Sequence, residues 1–236
     1  MKITILIPCL NEEETIAKVI RTAKNYIRRN NLINDAEILV SDNGSTDNSV
    51  AIAKKNKARV CESTEKGYGN ALINGIKNAK GDYIIMGDAD MSYDFDDLDG
   101  FIKYLDEGYD MVIGNRFKGG IEKGAMPFLH KLGVPFLSIV GNILFKTPAK
   151  DYHCGLRSFK KEKIELLKLT CPGMEFASEM ICKASIHKLK IKEIPTKLRK
   201  DQRGKKSHLR TFRDGFRHLI YMINLKYKYK EDDNNV

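Results

Sequence analysis

Tyr83-Ile84-Ile85-Met86-Gly87-Asp88-Ala89-Asp90 joins four apolar residues to a glycine and two acids. The apolar run has the length of a buried strand and the glycine marks its end, so the carboxylates stand at a strand's carboxyl end. In an extended segment residues i and i+2 project to the same side. Asp88 and Asp90 therefore face one point and suit one hard cation, Mg²⁺ or Mn²⁺, shared with a diphosphate. Taken alone, such a pair also reads as a solvated turn that caps the next helix. Its position after a buried strand favours the cation.

The same rhythm extends on both sides. Short β-type runs at 3–8, 37–41, 59–62, 83–86 and 110–114 alternate with helical periodicity over 13–29, 47–57, 68–80 and 95–107. This predicts an α/β fold, a mostly parallel sheet flanked by helices, with ligands at the carboxyl ends of the strands. Beyond Arg116 the pattern changes to a Gly/Lys-rich loop, an apolar helix over 127–145, a loop through Cys154-Gly155, and helices over 160–168 and 174–188. A strand over 190–198, a basic loop and a helix over 211–226 follow, and residues 231–236 read as a polar, frayed tail. No linker divides the chain, so residues 1–230 read as one domain: a ligand-binding half (1–116) and a second half (117–230).

The 236 residues, 42% of them hydrophobic, can fill a real core, which excludes gross disorder. Lys and Arg outnumber Asp and Glu by 41 to 31, a formal charge of +10 that favours anionic partners. The five cysteines are widely spaced without a C-x-x-C pair, as in a reduced, cytoplasmic thiol set. The apolar run after Met1-Lys2 is too short for a secretory signal. The most apolar stretch, 126–145, is interrupted by His130, Lys131 and Asn142, and is expected to lie on a membrane rather than cross it.

The first strand ends in Pro8-Cys9-Leu10-Asn11-Glu12-Glu13-Glu14. Asn11 with Glu14 resembles a capping box, which leaves Glu12 unexplained. The second ends in Ser41-Asp42-Asn43-Gly44-Ser45-Thr46-Asp47, where Asn43-Gly44 marks a turn and Ser45, Thr46 or Asp47 can cap the next helix. Asp42 is left over, expected to point from a strand end toward the crevice and to accept hydrogen bonds from a base or ribose.

Together, P-x-x-N-E, D-N-G-S-T-D, D-A-D and Gly114-Asn115-Arg116 resemble the family-two glycosyltransferases of the GT-A, Rossmann-like nucleotide-sugar-binding fold. Asp151-Tyr152-His153-Cys154-Gly155-Leu156-Arg157, the segment 173–179 and the segment 207–218 resemble the branch containing dolichyl-phosphate mannose and glucose synthases and their polyprenyl-phosphate relatives. The resemblance covers essentially the whole chain. It implies that Pro8, Glu12 and Asp42 hold the nucleoside, that Asp88, Ala89 and Asp90 meet the metal and diphosphate, and that Arg116 meets phosphate oxygens, with Asp90 and Arg116 at the catalytic centre. In dolichyl-phosphate mannose synthases a metal-coordinating Gln often follows the D-x-D by two residues; Ser92 stands here, where a hydroxyl or a water would take its place. Many relatives continue into membrane helices, whereas this chain stops in a charged tail, so peripheral attachment to the cytoplasmic face of a membrane, or a membrane-spanning partner, is expected.

The reaction implied moves a hexose, with inversion, from a nucleoside diphosphate sugar such as GDP-mannose, UDP-glucose or UDP-GlcNAc to dolichyl or polyprenyl phosphate. A phosphate acceptor is largely dianionic at pH 7 and needs no general base, whereas a glycan or protein hydroxyl would. Glu175 and Glu179, one helical turn apart, read either as an acidic site or as a solvated face. Eight of the seventeen residues from Lys197 to Arg213 are Lys or Arg, and they precede an apolar stripe at Phe212, Phe216, Leu219, Ile220 and Ile223. This combination fits an anionic membrane surface, with Lys205, Lys206, Arg210 and His130 as candidate contacts for the acceptor phosphate; a solvated loop and a core-facing stripe are the alternatives. A nucleic-acid-binding module is the reading that the charge and a pI of about 9.2 suggest. Acidic residues converging on the strand ends oppose it, since they would repel a phosphate backbone.

Overall fold

The computed structural model describes residues 2–204 and 211–234. The opening apolar run forms β1 (Ile3–Cys9), and all seven of its residues are buried. A strand apolar on both faces needs cover on both, which the chain supplies by alternation. Along it run α1 (Ile16–Arg29), β2 (Ala36–Asp42), α2 (Ser49–Lys55), β3 (Arg59–Glu62), α3 (Tyr68–Asn78), β4 (Tyr83–Met86), α4 (Asp99–Asp106), β5 (Met111–Asn115) and the short α5 (Arg116–Gly119). Then come α6 (Phe128–Phe145), β6 (Arg157–Lys160), α7 (Lys161–Glu165), α8 (Phe176–Ile186), β7 (Ile191–Pro195) and α9 (Thr211–Asn234). The sheet runs β3-β2-β1-β4-β6-β5-β7. Only β6 is antiparallel, inserted between β4 and β5. The expected mixed, mostly parallel α/β sheet is the one observed, and β1, β2 and β4 end side by side.

The sequence reading missed β6, taking it as loop and the start of a helix. Two of its four residues are polar yet buried: Ser158 Oγ donates to the Phe101 carbonyl at 2.9 Å, and Arg157 donates to the carbonyls of Tyr152, Cys154 and Ala177. Polar side chains satisfied this way hide a central strand from any apolar pattern. The expected helix over 160–168 is correspondingly only α7. The helix expected from Glu13 begins at Ile16, because Asn11 takes a positive φ of 57° and residues 11–14 form a separate loop. The one expected from Phe95 begins at Asp99, since Asp94 Oδ1 accepts the Asp96 N–H and holds a turn there. The strand expected to reach Leu198 stops at Pro195, and Leu198 makes an isolated bridge to Ile121. Past Lys226, where the last helix was expected to stop, α9 continues through most of the expected polar tail.

Residues from the two halves meet at the start of α3. The N–H groups of Gly69 and Asn70 both donate to the Pro172 carbonyl, at 2.9 and 3.2 Å. Gly67 precedes them with φ +132°, and a Cβ there would collide with the same carbonyl oxygen. Only glycine meets both demands. Gly67→Ala is therefore expected to lower stability by at least about 2 kcal/mol, read as a shift of the urea midpoint at unchanged slope.

Candidate functional site

The strand ends open into a cavity of about 820 Å³. Of the residues selected from the sequence, Pro8, Glu12, Asp88, Ala89, Asp90, Ser92, Arg116 and His130 line it. Asp42 lies behind the wall, although its neighbours Cys9, Asn43 and Gly44 face the cavity. Its Oδ2 accepts the N–H groups of Gly44 and Ser45, both at 3.0 Å, so the carboxylate shapes the turn it was expected to leave. Its Oδ1 is buried without a hydrogen-bond partner among the described residues. Lys205, Lys206 and Arg210 lie outside the described residues.

The expected capping box is replaced by links between loops. Asn11 Oδ1 accepts the Thr46 N–H at 2.7 Å, Glu13 accepts from Asn48, and Glu14 accepts the Gly204 N–H at 2.7 Å. Three polar residues that would cap a helix instead tie the end of β1 to the 46–48 turn and to the C-terminal loop. Glu12, left over in the sequence reading, is buried. It accepts from Thr15 and pairs with Arg203 at 3.1 Å.

Asp88 and Asp90 follow β4 as expected. Tyr68, at the start of α3, donates its hydroxyl to Asp88 Oδ1 at 2.9 Å, while Asp90 Oδ1 accepts the Ser92 N–H at 2.9 Å and Oδ2 pairs with Arg203 at 2.7 Å. Burial, and next the charge of Asp90, push the Asp88 carboxyl up to about 6. A buried carboxyl pressed by the charge of a second acid, with a guanidinium drawn onto that second acid, is what a divalent cation would relieve. Among the described residues no cluster of three or more His, Cys, Asp or Glu side chains forms a metal cage. The pair thus fits a cation completed by ligand oxygens, and Ser92 stands beside it in the cavity wall. Arg203 was part of the basic run in sequence; its reach to both acids is set by backbone pairing of the loop, Arg199 N–H to the Ser92 carbonyl and Gln202 N–H to the Asp90 carbonyl.

At the other end stands Arg116. Its Nε and Nη2 bond Asp151 at 2.8 and 2.7 Å, and its backbone N–H donates to the same carboxylate. Asp151 is fully buried, and its own N–H is held by Glu193 Oε1 at 2.8 Å. The guanidinium is thus fixed side-on, with Nη1 directed away from Asp151. His153 and His218, not selected from the sequence, line the same end with His130. The signal was present in the segment 151–157, whose first and last residues hold Arg116 and the loop.

Glu175 and Glu179 do not make an acidic site. Glu175 pairs with Arg217, while Glu179 accepts the N–H groups of Thr170 and Cys171 and pairs with Lys183 at 2.7 Å. One side of α6 lines the cavity through Leu129, His130 and Leu137, and the helix packs against α8 and α9. Its other side, Phe128, Leu132, Phe136, Ile139 and Ile143, is exposed, with Phe128 at 72% and Ile143 at 74%. Phe216, Ile220, Ile223 and Tyr227 of α9 are exposed too. By length and composition α6 is also long and apolar enough to cross a membrane, which the sequence reading had not expected.

Residues 4–167 match the model for glycosyl transferase family 2. A low-salt glycan biosynthesis hexosyltransferase, Agl6, of Haloferax volcanii is 38% identical over 94% of this chain and 53% of its own length, so the chain spans about half of that relative. A UDP-N-acetylglucosamine–dolichyl-phosphate N-acetylglucosaminyltransferase of Methanococcus voltae is 30% identical over 83% of this chain and 84% of its own. A dolichol-phosphate mannosyltransferase of Pyrococcus furiosus is 29% identical over 83% and 56%. Among solved structures, glucosyl-3-phosphoglycerate synthase from Mycobacterium tuberculosis with Mn²⁺, UDP and glucosyl-3-phosphoglycerate superposes with a TM-score of 0.74 at 20% identity, covering 95% of this chain and 79% of that one.

Burial by itself would raise the Glu179 carboxyl, but the bonds from Lys183, Cys171 and Thr170 outweigh it and hold the group below its ordinary value of 4.5. A depressed carboxylate stabilises the fold above its unfolded pKa and loses that effect as pH falls through the folded one. Glu179→Gln is expected to cost about 2 kcal/mol at neutral pH, with the gap to the parent narrowing below about pH 4 in urea unfolding.

Proposed function

Because the chain belongs to glycosyl transferase family 2, we propose that it transfers a hexose from a nucleoside diphosphate sugar to a polyprenyl or dolichyl phosphate. The observation that carries this reading is the polarity of one cavity. Buried carboxylates follow β1 and β4 and a fixed guanidinium follows β5, with histidines of α6, the 151–155 loop and α9 lining the same cavity. The names of the Methanococcus and Pyrococcus relatives point to the same acceptor. Pro8 and Glu12 hold the nucleoside, and Asp42 acts behind them by shaping the turn whose Asn43 and Gly44 line the cavity. Asp88 and Asp90, with Ser92 beside them, are the residues that would hold Mg²⁺ or Mn²⁺, and the bound cation supplies charge neutralisation for the departing diphosphate. Arg116, immobilised by Asp151, presents Nη1 to phosphate oxygens without reorganising during the reaction. An acceptor phosphate attacks the anomeric carbon from the face opposite the diphosphate and inverts it. No carboxylate base is required, which agrees with Glu175 and Glu179 being engaged elsewhere.

The exposed sides of α6 and α9 form the membrane-facing surface, flanked by the exposed Lys131, Lys146, Arg213 and Lys228. A lipid whose phosphate reaches Arg116 passes between these helices with its chain still in the bilayer. Lys205, Lys206 and Arg210, outside the described residues, stay candidate contacts for the acceptor phosphate.

Incubating the protein with polyprenyl phosphate, Mn²⁺ and radiolabelled nucleotide sugars is expected to give a lipid-extractable product. Asp90→Asn keeps the fold and loses at least about tenfold in turnover. Full activity in that variant, or undiminished activity in EDTA, removes the metal from the mechanism. Binding to anionic vesicles weakens steeply with salt, and Phe136→Ser with Ile143→Ser reduces it by about tenfold or more. A double variant that sediments with vesicles like the parent moves the membrane surface elsewhere.

A further inference from the structure

Three of the chain's five histidines, from α6, the 151–155 loop and α9, meet at the Arg116 end of the cavity. Two of them touch. His153 Nε2 lies 3.3 Å from His218 Nδ1, with the rings edge to face at a centroid distance of 4.4 Å. Ser178 Oγ from α8 bridges them, 2.8 Å from His218 Nδ1 and 3.5 Å from His153 Nε2. The other ring nitrogen of His153, Nδ1, is buried without a partner among the described residues. A buried polar nitrogen left unpaired is costly, and one that belongs to a cavity-lining residue is the mark of a group awaiting a ligand.

Charge around the pair is biased toward cations. Facing His153 are Arg116, Arg157, His130 and His218. His218 has Arg157, with Arg217 and Asp214 on its own helix. Asp151 is committed to Arg116 and Glu175 to Arg217; Asp214, itself paired with Arg213 at 3.6 Å, is the acid whose charge acts on His218. In such surroundings imidazoles stay neutral while the site is empty. Burial first, and then His218, hold His153 well below its ordinary value; burial holds His218 down to about 4, against the pull of Asp214. A dianion reverses this local balance.

On the reading that the acceptor is a lipid phosphate, we propose that His153 and His218 form a proton-accepting seat for that phosphate, beside Arg116 and opposite His130. The seat takes up one proton from solvent when the dianion binds. His153 Nδ1–H donates to a phosphate oxygen, and the added proton is shared between His153 Nε2 and His218 Nδ1, with Ser178 accepting or donating as needed. No bond to phosphorus forms or breaks; one solvent proton becomes bound. The consequence is a gate on charge: a neutral alcohol entering the same cavity drives no proton uptake from solvent and leaves Nδ1 facing a weaker acceptor. Linkage sets the sign. Ligand raises the affinity of the pair for protons, so affinity for the phosphate increases as pH falls and is lost as pH rises through the value of the occupied pair.

Calorimetric titration with farnesyl phosphate at about pH 7.5, repeated in buffers of different ionisation enthalpy, reads the proton directly. Uptake of close to one proton per phosphate bound is expected, together with weaker uptake-linked binding of inorganic phosphate and none with farnesol. His218→Gln and His153→Gln should each remove most of the uptake and weaken farnesyl phosphate by about tenfold or more, while the affinity for a nucleoside diphosphate with Mn²⁺ stays within about twofold. Should either variant fold poorly, ¹⁵N-histidine spectra of the parent decide: the ring resonances of the pair move toward imidazolium shifts, by one proton in total, on adding farnesyl phosphate. Buffer-independent heats, uptake that persists in both variants, or unmoved histidine resonances overturn the seat while leaving lipid glycosylation in place. If farnesyl phosphate does not bind although nucleoside diphosphates do, the acceptor reading fails, and the seat with it.

Discussion

The buried guanidinium of Arg157 is the interaction on which the site depends. It is 1% exposed, and its hydrogen bonds go to the carbonyls of Tyr152, Cys154 and Ala177 and to the sulfur of Met180 rather than to a carboxylate. An unneutralised charge in such a place persists only if the surrounding dipoles are fixed, and here they belong to the loop between α6 and β6 and to the first turn of α8. That loop carries Asp151, which aims Arg116. It also carries His153, and Gly155, whose N–H donates to the Tyr93 hydroxyl at 2.9 Å and whose bare Cα lets Asp88 approach. Removing the guanidinium would therefore loosen both ends of the cavity at once.

The antiparallel insertion of β6 is the topological side of the same constraint. With β6 between β4 and β5, Arg157 pairs across to Met86 and Ile113, so the strand leading to Asp88 and the strand leading to Arg116 are held apart by one strand's width. On the proposed function, the group at a sugar diphosphate and the group at its acceptor would be spaced by the sugar between them. The sheet supplies that spacing through backbone pairing, which side-chain motion does not disturb.

What was legible in the sequence follows a physical division. β1 and β4 are apolar because both faces are covered, so they and the acids after them could be read directly, as could the alternation that makes the sheet mostly parallel. β6 was not legible because Arg157 and Ser158 are buried through hydrogen bonds that no periodicity records. The capping-box reading of Asn11 and Glu14 failed for a related reason: the same side chains that cap a helix locally also bridge loops, and the choice depends on Thr46 and Gly204 being near, which is tertiary information. Arg203 was visible as one basic residue among eight; that it meets Glu12 and Asp90 depends on the backbone pairing of its loop with the segment after β4.

Arg203 also carries the electrostatic logic of the empty site. Glu12, Asp90 and Asp201 surround its guanidinium, and its Nε is buried without a partner among the described residues. Acids gathered this closely repel one another, and a positive side chain placed among them relieves the repulsion. The same loop donates Gly204 N–H to Glu14 and ties Lys18 to Gln202, so the cover of the donor end rests on contacts with the end of β1 and the first turns of α1. On the proposed function, a cation held by Asp88 and Asp90 would compete with Arg203 for Asp90.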